Sequence, residues 1–107
     1  MIDRTKLESL LGGNKKTVER FLDIFKSLTP KQLRMLKSDI SNKNWDKASI
    51  TAHAIKSQCK YLGLDDIAQR ASEIEQLTEE RKQLPLIPGL AVLLQAKILN
   101  IIEKELV

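Results

Sequence analysis

A single cysteine in 107 residues, Cys59, excludes an internal disulfide. A lone thiol suits a reducing compartment, so a cytoplasmic location is expected. Aromatic residues are equally scarce: Phe21, Phe25, Trp45 and Tyr61 are the only four. At least the phenylalanine pair stands at core spacing, which leaves no stacking platform for single-stranded nucleic acid. No run of alternating β-branched residues occurs, which removes the sheet classes. The longest nearly apolar run, Leu86 to Leu94, has nine residues and includes Pro88 and Gly89. A spanning helix needs roughly 20, so no membrane insertion is expected. The start, Met1-Ile2-Asp3-Arg4, leads into a charged amphipathic stretch rather than a basic segment followed by an apolar one, and no secretory signal is read there.

What is present is a hydrophobic share of 42% with 30% charged residues, enough to bury one small core. The net charge is +4, but its distribution is uneven: residues 1–60 carry thirteen Lys/Arg against six Asp/Glu, and residues 61–107 five against eight. A basic first half suits either nucleic acid or an acidic protein partner. With a modest net charge and no helix-turn-helix signature, nucleic acid is the weaker expectation.

Almost every long stretch repeats its apolar residues at threes and fours, so the fold class is all-α. Asp3 caps a short helix to about Leu11, which Gly12-Gly13 ends. Asn14 opens the next, whose Val18, Phe21, Leu22, Phe25, Leu33, Leu36 and Ile40 keep one face to about Asn42. Pro30 predicts a kink there or two abutting helices. A third helix spans about 44–62 and stops at Gly63. A fourth spans about 64–80, with Asp65 and Asp66 in its first turn. Thr78 to Pro88 reads as a frayed end and a loop, and Pro88 opens a last helix to about residue 106. Short connections favour antiparallel neighbours, giving an up-down-up-down four-helix bundle with a short additional N-terminal helix, one domain over residues 1–107. Such a bundle completes its core without a partner copy, and a monomer is expected.

On a wheel of ~100° per residue, Ala48, Ala52, Ile55, Cys59 and Leu62 share one direction within about 40°. His53 lies about 140° from the centre of that stripe, with Lys56 at about 80°, Lys60 at about 120° and Ser57 at about 180°. The only histidine therefore faces outward beside two lysines. A neutral imidazole nitrogen is a nucleophile near neutral pH and can accept a phosphoryl group, whose negative oxygens Lys56 and Lys60 would face. An outward histidine among lysines is more often part of a solvated helix face. Ser49 and Ser57 on the same helix have no glycine-rich elbow or oxyanion hole, so a hydrolytic triad does not fit. One His and one Cys pointing apart make no metal site.

The stretch Ala52-His53-Ala54-Ile55-Lys56-Ser57-Gln58-Cys59-Lys60-Tyr61-Leu62-Gly63 resembles the signature of histidine phosphotransfer (HPt) domains of two-component phosphorelays. His53, Ile55, Lys56 and Gly63 stand in the family's register, and Ile67, Ile74 and Glu75 stand at its recurring aliphatic and glutamate positions downstream. Ser57 stands where the family usually has glycine. The resemblance implies that His53 accepts a phosphoryl group from the aspartate of one receiver domain and passes it to another. It implies that Lys56 stabilises that group, Lys60 adds positive field, and small Ser57 gives the partner access. Ile50, about 160° from the core stripe on the side away from Lys56, is a candidate receiver contact. The resemblance further implies response-regulator receiver domains as partners, with a hybrid sensor histidine kinase possible among them. It implies no cofactor on this chain and Mg2+ in the receiver. No nucleotide loop of the Walker kind occurs, so no kinase or other enzyme activity of the chain's own is expected. The competing reading is a helical adaptor that binds an acidic protein without phosphorylation, steered by the basic first half.

Overall fold

The computed structural model describes residues 1–107 as five α-helices and one 3-10 turn. The helices are α1 (Arg4–Leu10), α2 (Lys15–Ser41), α3 (Trp45–Tyr61), α4 (Asp65–Glu80) and α5 (Ile87–Glu105), with the 3-10 turn at Leu84–Leu86. Three of the starts are capped as their residues demand. The Asp3 carboxylate accepts from the Lys6 amide, Asn14 from Lys16 and Thr17, and Asn44 from Lys47, each satisfying amides that have no partner within the helix.

The helix α2 runs unbroken through Pro30 for 27 residues. Of the two outcomes expected at this proline, abutting helices are not what forms. Phe25, Thr29 and Leu33 around it are buried, and their packing offsets the missing backbone bond. The segment after Ile74 also departs from expectation. Thr78 is not part of a frayed end but lies fully buried in α4, its hydroxyl donating to the carbonyls of Ile74 and Glu75. Arg81 then ends the helix in a left-handed conformation, its guanidinium donating to the Thr78 carbonyl and pairing with Asp46 at 2.7 Å. The acidic-basic run at Glu79 to Lys82 thus ties α4 to the start of α3 instead of only meeting solvent. The last helix begins at Ile87, with Pro88 in its first turn.

Packing joins α3 to α4 most extensively, α2 to both α3 and α5, and α5 to both α2 and α4. The four long helices therefore form a ring in which α5 lies diagonal to α3. One contiguous core fills it, including Leu33, Leu36, Ile55, Ile74, Leu94 and Ile98. The expected stripe of α3, Ala48 to Leu62, is wholly buried. Cys59 belongs to it, and burial pushes its thiol up to about 12, so it stays protonated and packs as a small apolar group. Phe25 is buried, whereas Phe21 sits at the edge with its ring 5.8 Å from that of Tyr61. By length and composition the helical stretch Leu84–Glu105 is apolar enough to cross a membrane. The Leu86–Leu94 run alone understates this. Its Ile87, Ala91, Leu94, Ile98 and Ile102 are core of the bundle.

The turn between α3 and α4 requires glycine. Gly63 has φ +71°, and a Cβ there would meet the Cβ of Asp3 at 2.7 Å, because the Asp3 amide donates to the Leu62 carbonyl across the turn. Gly63→Ala is therefore expected to lower the free energy of urea unfolding by about 1–3 kcal/mol. Gly89→Ala, in α5 with open space around it, should change it by no more than about 0.5 kcal/mol.

Candidate functional site

The turn at Gly63 folds α4 back along α3, so residues equally far from Leu64, the last residue of the turn, meet across the helix pair. His53 and Glu75 are such a pair, and so are Ser49 and Glu79. The Nδ1 atom of His53 lies 2.7 Å from Oε2 of Glu75, and the Nζ of Lys56 donates to Oε1 of the same carboxylate at 2.7 Å. Both carboxylate oxygens are thus engaged by α3. Ser49 is buried and its hydroxyl donates to Glu79 rather than approaching the histidine.

Exposure separates the three groups. The imidazole keeps 59% of its side-chain surface, whereas Lys56 keeps 18% and Glu75 14%. Burial pushes the Glu75 carboxyl up, but the hydrogen bonds from Lys56 and His53 and their positive charge outweigh it. The net result is a carboxyl held below its ordinary range. Glu75 is therefore a carboxylate at neutral pH and can only accept, so Nδ1 must carry the shared proton. In the neutral form of the ring that leaves Nε2 as the atom with the free lone pair, and the ring cannot turn without losing its carboxylate.

The remaining residues singled out in the sequence fall around this pair at varying distances from its chemistry. Ile50 is 70% exposed on the same helix, one turn before the histidine. Ser57, half-buried, and Lys60, exposed, line a shallow groove with Lys6, Leu10 and Tyr61. Lys60 makes no hydrogen bond or ion pair with Glu75; that contact belongs to Lys56 alone. Glu75 itself enters the sequence reading only as a family position and not as a site residue. The signal that marks it is arithmetic: it lies as far beyond Leu64 as His53 lies before it.

With this geometry in place, comparison with known families is decisive. A family model described as Hpt domain matches residues 20–104. The chain belongs to the Hpt domain family. Membership assigns it to histidine phosphotransfer in phosphorelay signalling, and Hpt domains are phosphotransfer intermediates without a kinase activity of their own. They work with response-regulator receiver domains of two-component systems. No curated protein and no solved structure matches the chain significantly.

The carboxylate bridge makes a pH prediction. Because the folded-state pKa of Glu75 is lowered, the folded chain holds its proton less tightly than the unfolded one, and the stabilisation exists above the unfolded value and disappears as pH falls through the folded value. Glu75→Gln should lose on the order of 1–2 kcal/mol at neutral pH. The gap to the wild type should close at pH values below the ordinary carboxylate range, about 4, when both are unfolded in urea across a pH series.

Proposed function

We propose that His53 is the phosphoacceptor of this Hpt domain, taking a phosphoryl group from a receiver aspartate and delivering it to the aspartate of a second receiver. The observation that carries this reading is the exposed imidazole whose Nδ1 is bound by Glu75, which leaves Nε2 outward as the nucleophile. In the step proposed, the Nε2 lone pair forms a bond to phosphorus while the acyl phosphate P–O bond breaks and its electrons return to the aspartate as carboxylate. The ring is left as a phosphoimidazolium with its proton on Nδ1, and the Glu75 carboxylate faces the positive charge that develops. Delivery to the second aspartate is the same displacement in reverse. No proton leaves or enters the chain in either direction.

Each supporting residue has a separate part in the proposal. Lys56 holds Glu75 and carries its ammonium on the same face as the incoming phosphoryl oxygens. Lys60, one turn further, adds to the positive potential. Ser57 is small enough to let a receiver descend over the ring, and Ile50 offers it an apolar contact. The acidic aspartate and its Mg2+ belong to the receiver, so this chain needs no cofactor, and the natural setting is the cytoplasm, where receivers are found. The basic first half suits approach to such an acidic site.

The test is transfer from phosphorylated receiver domains to the chain. Wild type should gain acid-labile, alkali-stable label and His53→Gln none. Glu75→Gln should retain the acceptor atom but slow labelling by about 10- to 100-fold, on the scale of losing a hydrogen-bonded orienting group. A folded wild type that takes no label from a complete receiver panel, yet binds an acidic partner as tightly with His53→Gln as without it, would replace this reading with the adaptor.

A further inference from the structure

The helix α5 is apolar on two faces, and the bundle uses only one. Between Lys82 and Lys97 the chain carries no charge over fourteen residues. The inward residues of this segment are core, but Leu86, Val92, Leu93 and Leu99 are between 40% and 55% exposed. Along the middle of that outer face run Gly89 and Ala96, both exposed, with open space above Gly89. Scattered exposed leucines are ordinary on a protein surface; a contiguous uncharged helix face is not.

We propose that the outer face of α5 pairs antiparallel, about a two-fold axis, with the same face of a second copy of this chain. Three features of the face fit this occupant. Its pattern is self-complementary: the two-fold sets Gly89 against Ala96 of the second copy, so the backbones approach closely. The Val92–Leu99 row on one side and the Leu86–Leu93 row on the other each meet their own symmetry mate. Charge agrees with the antiparallel sense. Glu103, exposed near the C-terminal end, comes to the N-terminal end of the other α5, where the helix dipole is positive and Lys82, 69% exposed and held only by a surface pair with Glu80 at 3.6 Å, lies close by. A parallel arrangement would instead oppose like ends. Length agrees too. Nineteen residues rise about 28 Å, and two such faces together bury on the order of 1,000 Å², the low end of specific interfaces, so the dimer is reversible. Because α5 packs on α2 and α4, diagonal to α3, the pairing leaves the imidazole of each copy free for a receiver. The proposal does not depend on the phosphotransfer reading.

Sedimentation velocity of the full chain from 1 μM upward, a range set by the ~1 μM-to-mM affinities of small interfaces, tests it. The wild type should move from 12.2 kDa to twice that mass within this range. Ala96→Glu, an exposed change that leaves the core intact, should raise the dissociation constant at least tenfold with an unchanged helical circular dichroism spectrum. Glu103→Lys should weaken pairing several-fold, and adding Lys82→Glu to the same chain should recover it. A wild type that stays at 12.2 kDa up to millimolar concentration would overturn the proposal, as would an Ala96→Glu chain that dimerises like the wild type. A chain that stays monomeric but floats with phosphatidylcholine vesicles would assign the face to a lipid surface and equally overturn it.

Discussion

The Glu75 carboxylate is the interaction on which the arrangement of this domain turns. It is the one group that touches both His53 and Lys56, and it comes from a different helix from either. Its two oxygens accept in two directions, which fixes the tautomer of the imidazole and the position of the ammonium at once. For this to work, α4 must return along α3 in one register. Gly63 with its left-handed backbone, the Asp3 amide closing on Leu62, and the Arg81–Asp46 pair at the other end of the two helices hold that register from both sides. A slip of α4 by one residue would rotate Glu75 by about 100° away from the histidine. The bundle core is thus the means by which one carboxylate is delivered to one ring nitrogen.

Burial is distributed over these three groups in a way that matters for the chemistry. A carboxylate left in water would be weakly held and would compete with solvent for the ring proton; one sealed in the core would lose its charge. At 14% exposure beside a lysine at 18%, Glu75 is shielded enough to bind tightly and paired well enough to stay ionised. The histidine remains in solvent, where the proposed transfer needs its reacting atom to meet a second protein. The domain therefore keeps its ion pair behind the helix surface and its imidazole in front of it.

Much of this is legible in the amino-acid sequence alone. The caps at Asp3 and Asn14, the stop at Gly63, the buried stripe of α3 and the outward His53 all follow from local chemistry and a period of 3.6, which the bundle does not override. The failures share another cause. Pro30 leaves two outcomes open in the sequence, and the exclusion of abutting helices depends on what Phe25 and Leu33 pack against, a tertiary fact. Thr78 and Arg81 read as surface because a polar run carries no sign of the Asp46 and backbone carbonyls it will meet, the aspartate 35 residues away. The apolar outer side of α5 is hidden by an average: Pro88, Gly89 and Gln95 break up a hydrophobic run in sequence, yet none of them belongs to the rows of Leu and Val that the helix assembles. Glu75 lies between these cases. Its partner can be read from equal distance to the turn, but only once α3 and α4 are taken as antiparallel.

Charge accounting explains why Lys60 and Lys56 are not redundant in the proposed transfer. Before it, the neutral ring, Glu75 carboxylate and Lys56 ammonium sum to no net charge, so nothing in the site draws a partner strongly. Phosphorylation makes the ring cationic and adds a group carrying nearly two negative charges, so with the Glu75 carboxylate and the Lys56 ammonium unchanged the site is left with an excess of nearly one negative charge. The excess points outward, toward Lys60 and toward the receiver. Were it fully matched by lysines closing over it, the phosphoryl group would be held more tightly than an aspartyl phosphate can compete for, and an intermediate would become a sink. Incomplete compensation on an exposed ring keeps donor and acceptor forms close in energy. That balance is what a group carried by turns between two aspartates requires.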